Sequence, residues 1–204
     1  MENTQILEQA VQSFLNNDRK GPASELIVET LLEAEKSAKK NKQIYSLKQL
    51  LGTWRLCFIT GTKKARKRAG IMLGSGLYLP RWIPIHISYS SELIPSEQDM
   101  SFPSFTVGRI ENSVQFGSLQ LALTGPIKFS QPKNILFFDF THMTLKLFGI
   151  QLYNGFIANG EKREEQFHQE SIRKQAFFSY FLIQDKIIAA RGKGGGLAIW
   201  GKLE

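Results

Sequence analysis

The first 45 residues carry apolar positions at helical spacing. Apolar residues recur at i, i+3 and i+4 and form one face of a predicted helix, made of Ile6, Leu7, Ala10, Val11, Phe14 and Leu15. Asn16-Asn17-Asp18 and Gly21-Pro22 then predict a turn. A second helix should follow with Ser24 as its N-cap, and its glutamates come early and its lysines late, as the helix dipole favours. Its apolar stripe comprises Leu26, Ile27, Leu31, Leu32, Ala34 and Ala38.

From Trp54 onward the apolar period changes to two, which is typical of strands with one buried face. Alternating runs start near Trp54, Ile83, Leu119 and Phe177. Many short strands separated by turns predict an antiparallel sandwich or barrel, and no intervening run resembles a crossover helix. The turn signals are Glu111-Asn112-Ser113, Gly125-Pro126, Gln131 to Asn134, and Gln184-Asp185. We therefore expect a mainly β fold in two parts: residues 1–45, a helical segment packed on the barrel, and residues 46–204, an antiparallel β-barrel.

The first and last strands carry a possible closure of the sheet. Gly52-Thr53-Trp54 opens the first strand, and Arg191-Gly192 begins a glycine-rich hairpin before the last one. In a closed barrel these strands are neighbours, so we expect the Arg191 guanidinium to lie over the Trp54 indole and seal one end. A closed sheet also offers an interior in which a small apolar ligand can bind.

Two polar stretches interrupt the strands. Lys63 to Arg68 contains five cations in six residues, and Gly160 to Lys174 is charged with mixed sign, which predicts a solvated loop or a short helix. Trp82, flanked by Pro80, Arg81 and Pro84, is expected near the basic run. Such a surface suits anionic lipid or nucleic acid, since the ring can enter a membrane interface or stack on a base. The candidate membrane-surface residues are Lys63, Lys64, Arg66, Lys67, Arg68 and Trp82.

Composition narrows the class of protein. The 204 residues are 42% hydrophobic and include 15 Phe, enough for a substantial core in one domain with a short appendage, and too apolar for a disordered chain. The net charge of +8 favours anionic partners. Cys57 is the only cysteine, so no intramolecular disulfide can form and a reducing compartment is expected. The N-terminus resembles neither a secretory signal nor a transit peptide, and no apolar run reaches the length of a membrane span.

Motifs for catalysis and metal binding are weak. Gly196 to Lys202 has the glycine and lysine spacing of a P-loop, but Leu203 stands where a Ser or Thr must hold magnesium. His86, His142 and His168 are too dispersed for a metal site. Cys57 lies in an apolar strand, where a thiol usually fills the core. We therefore expect no catalytic residue, metal or cofactor.

The expected ligand cavity would be lined by inward apolar side chains of the strands. The candidates are Phe58, Leu121, Phe138, Phe140 and Tyr180. Asp139 lies between Phe138 and Phe140 and is either an outward residue or an inward polar anchor. A barrel of about eight strands can also be filled by its own side chains, so a packed interior with a purely structural role remains an alternative.

Leu50-Leu51-Gly52-Thr53-Trp54-Arg55-Leu56, followed by an apolar strand, resembles the opening motif of the plastid lipid-associated proteins, or plastid fibrillins. The end of the chain is similar to theirs as well: an aromatic strand from Phe177 to Leu182, Gln184-Asp185, a short apolar strand, and Arg191-Gly192 with Gly194-Gly195. The resemblance covers about residues 25 to 204. Family members commonly have an acidic residue after the Arg-Gly pair, whereas this chain has Lys193, which puts any role of that carboxylate in doubt.

The resemblance implies a lipocalin-like barrel that binds or organises carotenoids, prenylquinones or acyl lipids at photosynthetic membranes without catalysis. Together with the expected absence of a transit peptide or signal, it fits a cytoplasmic protein of a cyanobacterium that is peripherally associated with the thylakoid membrane, where the basic run from Lys63 to Arg68 would contact anionic lipid. One alternative is an enzyme on the same scaffold, a bilin lyase, for which Asp139, Arg109 and Tyr180 are the available polar groups. Another is a basic barrel that binds nucleic acid, although the aromatic residues lie mostly in apolar runs and not among the cations.

Overall fold

The protein is described here by a computed structural model covering residues 2–18, 21–61, 76–91 and 105–203. The chain is mainly β, with a closed eight-stranded antiparallel barrel and helices at the N-terminus. This confirms the fold class predicted from the alternating apolar pattern. The basic run from Lys63 to Arg68 lies outside the described residues.

The described helices lie mostly near the N-terminus. Two short 3-10 turns, Leu47–Leu50 and Gln131–Lys133, connect other elements. The α-helices are α1 (Glu2–Leu15), α2 (Ser24–Lys40) and α3 (Gly160–Gln166).

All the strand pairs of the described residues given below are antiparallel. They are β1 (Gly52–Ile59), β2 (Leu77–Tyr78), β3 (Ile85–Ser91), β4 (Thr106–Phe116), β5 (Leu119–Ser130), β6 (Ile135–Phe138), β7 (His142–Leu147), β8 (Ile150–Phe156), β9 (Ala176–Ile183), β10 (Ile187–Gly192) and β11 (Leu197–Lys202).

The chain forms two compact units. The first comprises residues 1–43, 54–82 and 178–204, and the second comprises residues 44–53 and 83–177. The expected division into a helical segment, residues 1–45, and a barrel, residues 46–204, stays a prediction.

In the first unit the order of paired strands is β2-β1-β11-β10-β9. Leu56 lies opposite Trp200, which in turn lies opposite Ile188. Helix α1 packs closely on β11 at Gly201. A Cβ at this position would come within 2.5 Å of Val11 Cγ1, so only glycine fits there without a shift. The two amphipathic helices bury their apolar faces against this sheet in one core, which includes Leu7, Val11, Phe14, Ile27, Leu31, Cys57, Phe58, Leu182, Ala189 and Ile199.

Helix α2 begins one residue earlier than its sequence indicates. The N-cap position is occupied by Ala23, which makes no side-chain capping bond, and Ser24 is the first helical residue. The Ile27 amide donates to the Ala23 carbonyl at 3.1 Å and closes the first turn. The prediction of Ser24 as N-cap is therefore wrong, since backbone geometry and not the hydroxyl sets the start of the helix.

In the second unit β4 pairs with β3 and β5, and β5 continues to β6 along one half and to β7 along the other. Leu119 to Thr124 pair with β7, and Ile127 to Ser130 pair with β6. Strand β8 completes a hairpin with β7. The long strands β4 and β5 therefore carry a sheet of five strands, β3-β4-β5-β7-β8.

Two predicted turns are strand interiors. Glu111-Asn112-Ser113 lies within β4, and Gly125-Pro126 lies within β5. A proline is tolerated there because the Pro126 carbonyl accepts from the Asp139 amide, so its missing N–H faces the same side, where β5 changes its neighbour from β7 to β6. The turns expected at Gln131 to Asn134 and at Gln184-Asp185 are present.

The charged stretch from Gly160 to Lys174 contains the short helix α3. Arg163 binds Asp139 through Nε at 2.9 Å and Nη2 at 2.5 Å, and Glu164 accepts from Arg109 Nη1 at 2.7 Å and from Thr141 Oγ1. Phe167 is almost fully buried. This stretch is therefore fixed on the sheet of the second unit, where a solvated loop was one of the two expectations.

Candidate functional site

The five-stranded sheet of the second unit has one apolar and one polar face. Successive side chains of a strand point to opposite faces, and directly opposed residues share a face. Val114 lies opposite Ile85 and Leu121, and Leu121 lies opposite Leu145. The register places the following apolar residues together on what we call the apolar face: Ile85, Ile87, Tyr89, Ile110, Val114, Phe116, Leu119, Leu121, Leu123, Ile127, Phe129, Met143, Leu145, Leu147, Ile150 and Tyr153. The half-buried Asn112, which lies opposite Ile87 and Leu123, places one polar side chain on the same face.

Burial changes steadily along the apolar face. Ile110, Ile127 and Phe129 are fully buried at one end. The middle, which includes Leu121 and Leu145, is half-buried. The other end, at the turns of the β4-β5 and β7-β8 hairpins, is exposed. The unit therefore presents a mainly apolar track from its core to solvent, with Asn112 as a polar residue along it, and on this surface an apolar chain can exchange water contacts for side-chain contacts.

The opposite face carries hydrogen-bonding groups, which we call the polar face. A groove of about 420 Å³ lies there, and its polar lining residues are His86, Glu111, Ser113, Gln115, Gln120, Thr144 and Lys146. A smaller hollow of about 280 Å³ includes Thr53, Ser88, Arg109 and Glu111. Both are lined wholly by the second unit. Val114 and Leu121 also line the groove, and Tyr89 and Ile110 also line the hollow, so each combines polar and apolar groups.

The predicted cavity residues fall in different environments. Phe138 lies opposite Ile127, on the side of the apolar face, and its ring centroid is 5.3 Å from that of Phe140. Leu121 is a half-buried member of the apolar face. Phe58 instead belongs to the core between the N-terminal helices and the first unit's sheet, where its ring meets Tyr78 edge-on at 5.3 Å. Tyr180 is buried in the first unit beside Phe178.

The expected stacking of Arg191 on Trp54 is replaced by two other contacts in the first unit. Lys202, directly opposite Trp54 in the β1-β11 register, holds its ammonium 5.1 Å from the indole centroid. Arg191 instead binds the carboxylate of Glu35 on α2 and donates to the Gly195 carbonyl at 2.6 Å. The alternation of β10 explains the difference: Arg191 shares its face with Leu197, on the helix-covered side of the sheet.

Among the candidate membrane-surface residues, Trp82 belongs to the described part of the chain, whereas Lys63 to Arg68 do not. Trp82 is 66% exposed, as a surface-binding residue must be. Cys57 is buried, and that burial raises the pKa of its thiol to about 12. A thiol held protonated at neutral pH is a poor nucleophile.

The polar groups considered for an enzyme are engaged in ion pairs. Asp139 holds Arg163, and Arg109 holds Glu164. Burial raises the pKa of Glu164, but the bonds from Arg109 and Thr141 outweigh it and hold that pKa below its ordinary value. Over the described ranges, no group of three or more His, Cys, Asp or Glu side chains is placed to hold a metal ion.

Lys128 is the most deeply buried cation of the second unit. Its ammonium donates to the carbonyls of Phe167 and Glu170, at 3.1 and 3.3 Å, and lies over the rings of Phe105 and Phe167. Burial lowers the pKa of this lysine. Its bonds fasten the segment after α3 to the sheet, which is a structural role.

The comparisons add no relative to this picture. No protein-family model matches the chain, and a search of curated proteins found no match. Among the described residues, no helix combines the length and the apolar character needed to cross a bilayer.

Most of the apolar face was not predicted from the sequence, because the alternating runs identified there did not include β4, β7 and β8. A signal was present in Leu145-Lys146-Leu147 and Ile150-Gln151-Leu152, two alternating runs on either side of Phe148-Gly149. Two alternating runs separated by two residues, the second a glycine, indicate a hairpin.

Proposed function

We propose that the protein is a non-enzymatic lipid-associated barrel that binds or organises a small hydrophobic molecule at photosynthetic membranes, in the manner of the plastid fibrillins. Its ligand class is a carotenoid, a prenylquinone or an acyl lipid. The observation that carries the proposal is the apolar face, which runs without interruption by charge from buried Ile110 and Ile127 to half-buried Leu121 and Leu145. A linear apolar ligand laid along it would gain about 25 cal/mol per Å² of apolar surface removed from water.

The dimensions of the face suit a chain-like ligand. Six residues of a strand extend about 20 Å along the strand direction, and five neighbouring strands span about 20 Å across the sheet. These lengths approach that of an acyl chain or several prenyl units. The face offers mainly aliphatic contacts, with the Asn112 amide as a hydrogen-bonding group among them, so it selects chiefly for length and apolar character.

The rival functions have weaker support. A bilin lyase would need free polar groups at its site, whereas Asp139 and Arg109 already hold Arg163 and Glu164. A nucleic-acid-binding barrel would use the basic run at Lys63 to Arg68, and it predicts affinity that falls steeply with salt. The apolar face has no part in either function.

The test is to purify the chain under native conditions from a photosynthetic host, extract it with organic solvent, and analyse the extract by mass spectrometry and absorbance. A stoichiometric carotenoid, quinone or acyl lipid is expected. An empty extract, together with no quenching of tryptophan fluorescence by added plastoquinone or fatty acid, would overturn the proposal and favour a filled barrel that acts through its surface. A bilin or a polar metabolite would point to the enzyme alternative or to the groove of the polar face.

A further inference from the structure

Two hairpin turns of the second unit lie side by side and expose large apolar side chains. The β4-β5 turn joins Phe116 to Leu119, and the β7-β8 turn joins Leu147 to Ile150. The Phe148 amide donates to the Ser118 carbonyl at 3.1 Å, which couples the two turns. We call residues 115–120 and 146–151 the tip pair.

The exposure of the tip pair is high for apolar side chains. Phe116 is 54% exposed, Phe148 77% and Ile150 67%, and Leu119 and Leu147 are 39% and 36% exposed. Leu152, which follows directly in β8, is 57% exposed. Single exposed apolar residues are common, but a contiguous group of this kind marks an interaction surface.

Phe148 is unfavourable in this position for two independent reasons. Its φ of 49° and the φ of 78° at Gly149 are the left-handed values that a two-residue hairpin turn of type I′ requires. Asn, Asp or Gly suits the first of these positions, whereas a bulky aromatic residue is strained there. The same side chain is also the most exposed large hydrophobic group described. A strained backbone that presents an exposed phenyl ring is the kind of local cost that proteins keep at functional sites, and an apolar environment outside the chain would offset it.

Charge and size indicate what that environment is. Lys146 is the single charged residue of the tip pair, and no acidic residue occurs in it. With side chains of about 150–250 Å² each, the exposed fractions amount to on the order of 500 Å² of apolar surface. A stable protein interface needs about 800 Å² per partner. Two protruding turns also offer little flat area to a second copy, whereas a bilayer interface accepts protruding apolar side chains of any shape.

We infer that the tip pair inserts into the acyl region of a lipid bilayer and holds the apolar face open toward the membrane. This inference rests on the membrane association in the proposed function and names the surface that makes the contact. It adds an apolar, salt-independent anchor, distinct from the electrostatic contact expected of the basic run at Lys63 to Arg68. The apolar face begins at these same turns, so a hydrophobic molecule could pass from lipid to protein without crossing water.

The test compares the wild-type chain with Phe148→Asn and with Phe148→Asn/Ile150→Thr in vesicle co-sedimentation. Asn suits the left-handed backbone of the turn, and Thr keeps β-branching, so both variants should fold, as circular dichroism and urea unfolding will check. Ile44→Thr is the matched control, since Ile44 is 62% exposed in the same unit but outside the tip pair. Vesicles are pure phosphatidylcholine and phosphatidylcholine with phosphatidylglycerol, at low and high salt.

We expect the single variant to bind at least tenfold more weakly than the wild-type chain and the double variant more weakly still, in both lipids and at both salt concentrations. Ile44→Thr should stay within about twofold of the wild-type chain. An environment-sensitive dye on Phe148→Cys should shift to the blue with vesicles, and the same dye on Asn154→Cys, on the polar face, should not.

Other outcomes separate the two proposals. If the wild-type chain binds only anionic vesicles at low salt and the tip variants bind equally well, the insertion is refuted while membrane association stands. If no chain binds any vesicle, the insertion and the membrane part of the proposed function both fail, and ligand extraction judges the remainder. If the wild-type chain is a dimer that the variants dissociate, with vesicle binding unchanged, the tip pair is a subunit interface and the inference is wrong.

Discussion

Arg191 of β10 donates two parallel hydrogen bonds to the carboxylate of Glu35 on α2. Arg191 Nε lies 2.9 Å from Glu35 Oε1, and Nη2 lies 2.5 Å from Oε2. The Glu35 side chain is 11% exposed and that of Arg191 is 31% exposed. Such a two-pronged pair, partly shielded from water, fixes geometry as well as charge. It connects α2 to β10, the first strand of the β10-β11 hairpin, within the first unit.

Replacing Arg191 by Lys should destabilise the protein although the charge is kept. Lysine cannot form the paired bonds of the guanidinium, and Glu35 would keep an incompletely satisfied carboxylate at a shielded site. We expect a loss of about 1–3 kcal/mol in the free energy of unfolding. Urea denaturation at pH 7 measures it. Lys39→Gln is the control, since the Lys39 side chain is 74% exposed and its contact with Glu35 should contribute at most about 1 kcal/mol. Equal effects of the two changes would contradict the assigned role.

The same ion pair should make stability depend on pH in the acid range. The hydrogen bonds from Arg191 hold the pKa of Glu35 below its ordinary value of 4.5, against the opposing effect of burial. The unfolded chain therefore takes up this proton at a higher pH than the folded chain, so the contribution is present above about pH 4.5 and is lost as the pH falls through the folded-state pKa. The difference in unfolding free energy between the wild-type chain and Glu35→Gln should be full at pH 7 and shrink below pH 4.5. A difference that stays constant down to pH 3 would rule out this linkage.

Cys57 should resist thiol reagents in the folded protein. Burial raises the pKa of its thiol to about 12, so almost no thiolate is present at pH 8, and the sulfur is also inaccessible. We expect its reaction with an aromatic disulfide reagent to be at least about 100-fold slower in the native protein than in 6 M urea. Asn154→Cys provides an exposed thiol in the same chain as an internal reference. Comparable rates for the two thiols would show that the strand opens readily.

The proposed function predicts that the apolar face binds a hydrophobic ligand more weakly when a single leucine is made polar. Leu145 and Thr144 are neighbours in β7 and point to opposite faces of the sheet. Leu145→Gln should weaken binding of plastoquinone or a fatty acid by about 10-fold or more, because burying a leucine side chain contributes about 1.5–3 kcal/mol. Thr144→Gln should leave the affinity within about twofold. Fluorescence titration measures both, and an equal loss from the two changes would place the ligand elsewhere.

The periodic patterns of the chain were sufficient for the class of fold. Leu7, Val11 and Phe14 repeat at helical spacing, and they are buried on α1 as that spacing predicts. The alternating runs around Trp54, Leu119 and Phe177 are strands. These signals are local, since each depends only on which side of its own element is apolar.

Positions governed by distant neighbours were not predictable in this way. Pro126 and Glu111 carry turn-forming local signals, yet both lie in long strands, because pairing with β3, β6 and β7 outweighs local preference. The partner predicted for Arg191, Trp54, was likewise wrong, since β10 has two faces and only the packing of α2 shows that Arg191 meets Glu35. The apolar face joins residues from five strands, and no single stretch of sequence contains it.

The sequence by itself determined that this is a basic, single-cysteine, mainly β chain with two amphipathic helices, because composition and periodicity are properties of the chain alone. Only the tertiary structure decided that Leu121, Leu145 and Ile150 share one face and that the turns at Phe116 and Phe148 lie together. The physical reason is that strand register is fixed by pairing over long separations, and a shift of one residue would send each of these side chains to the opposite face.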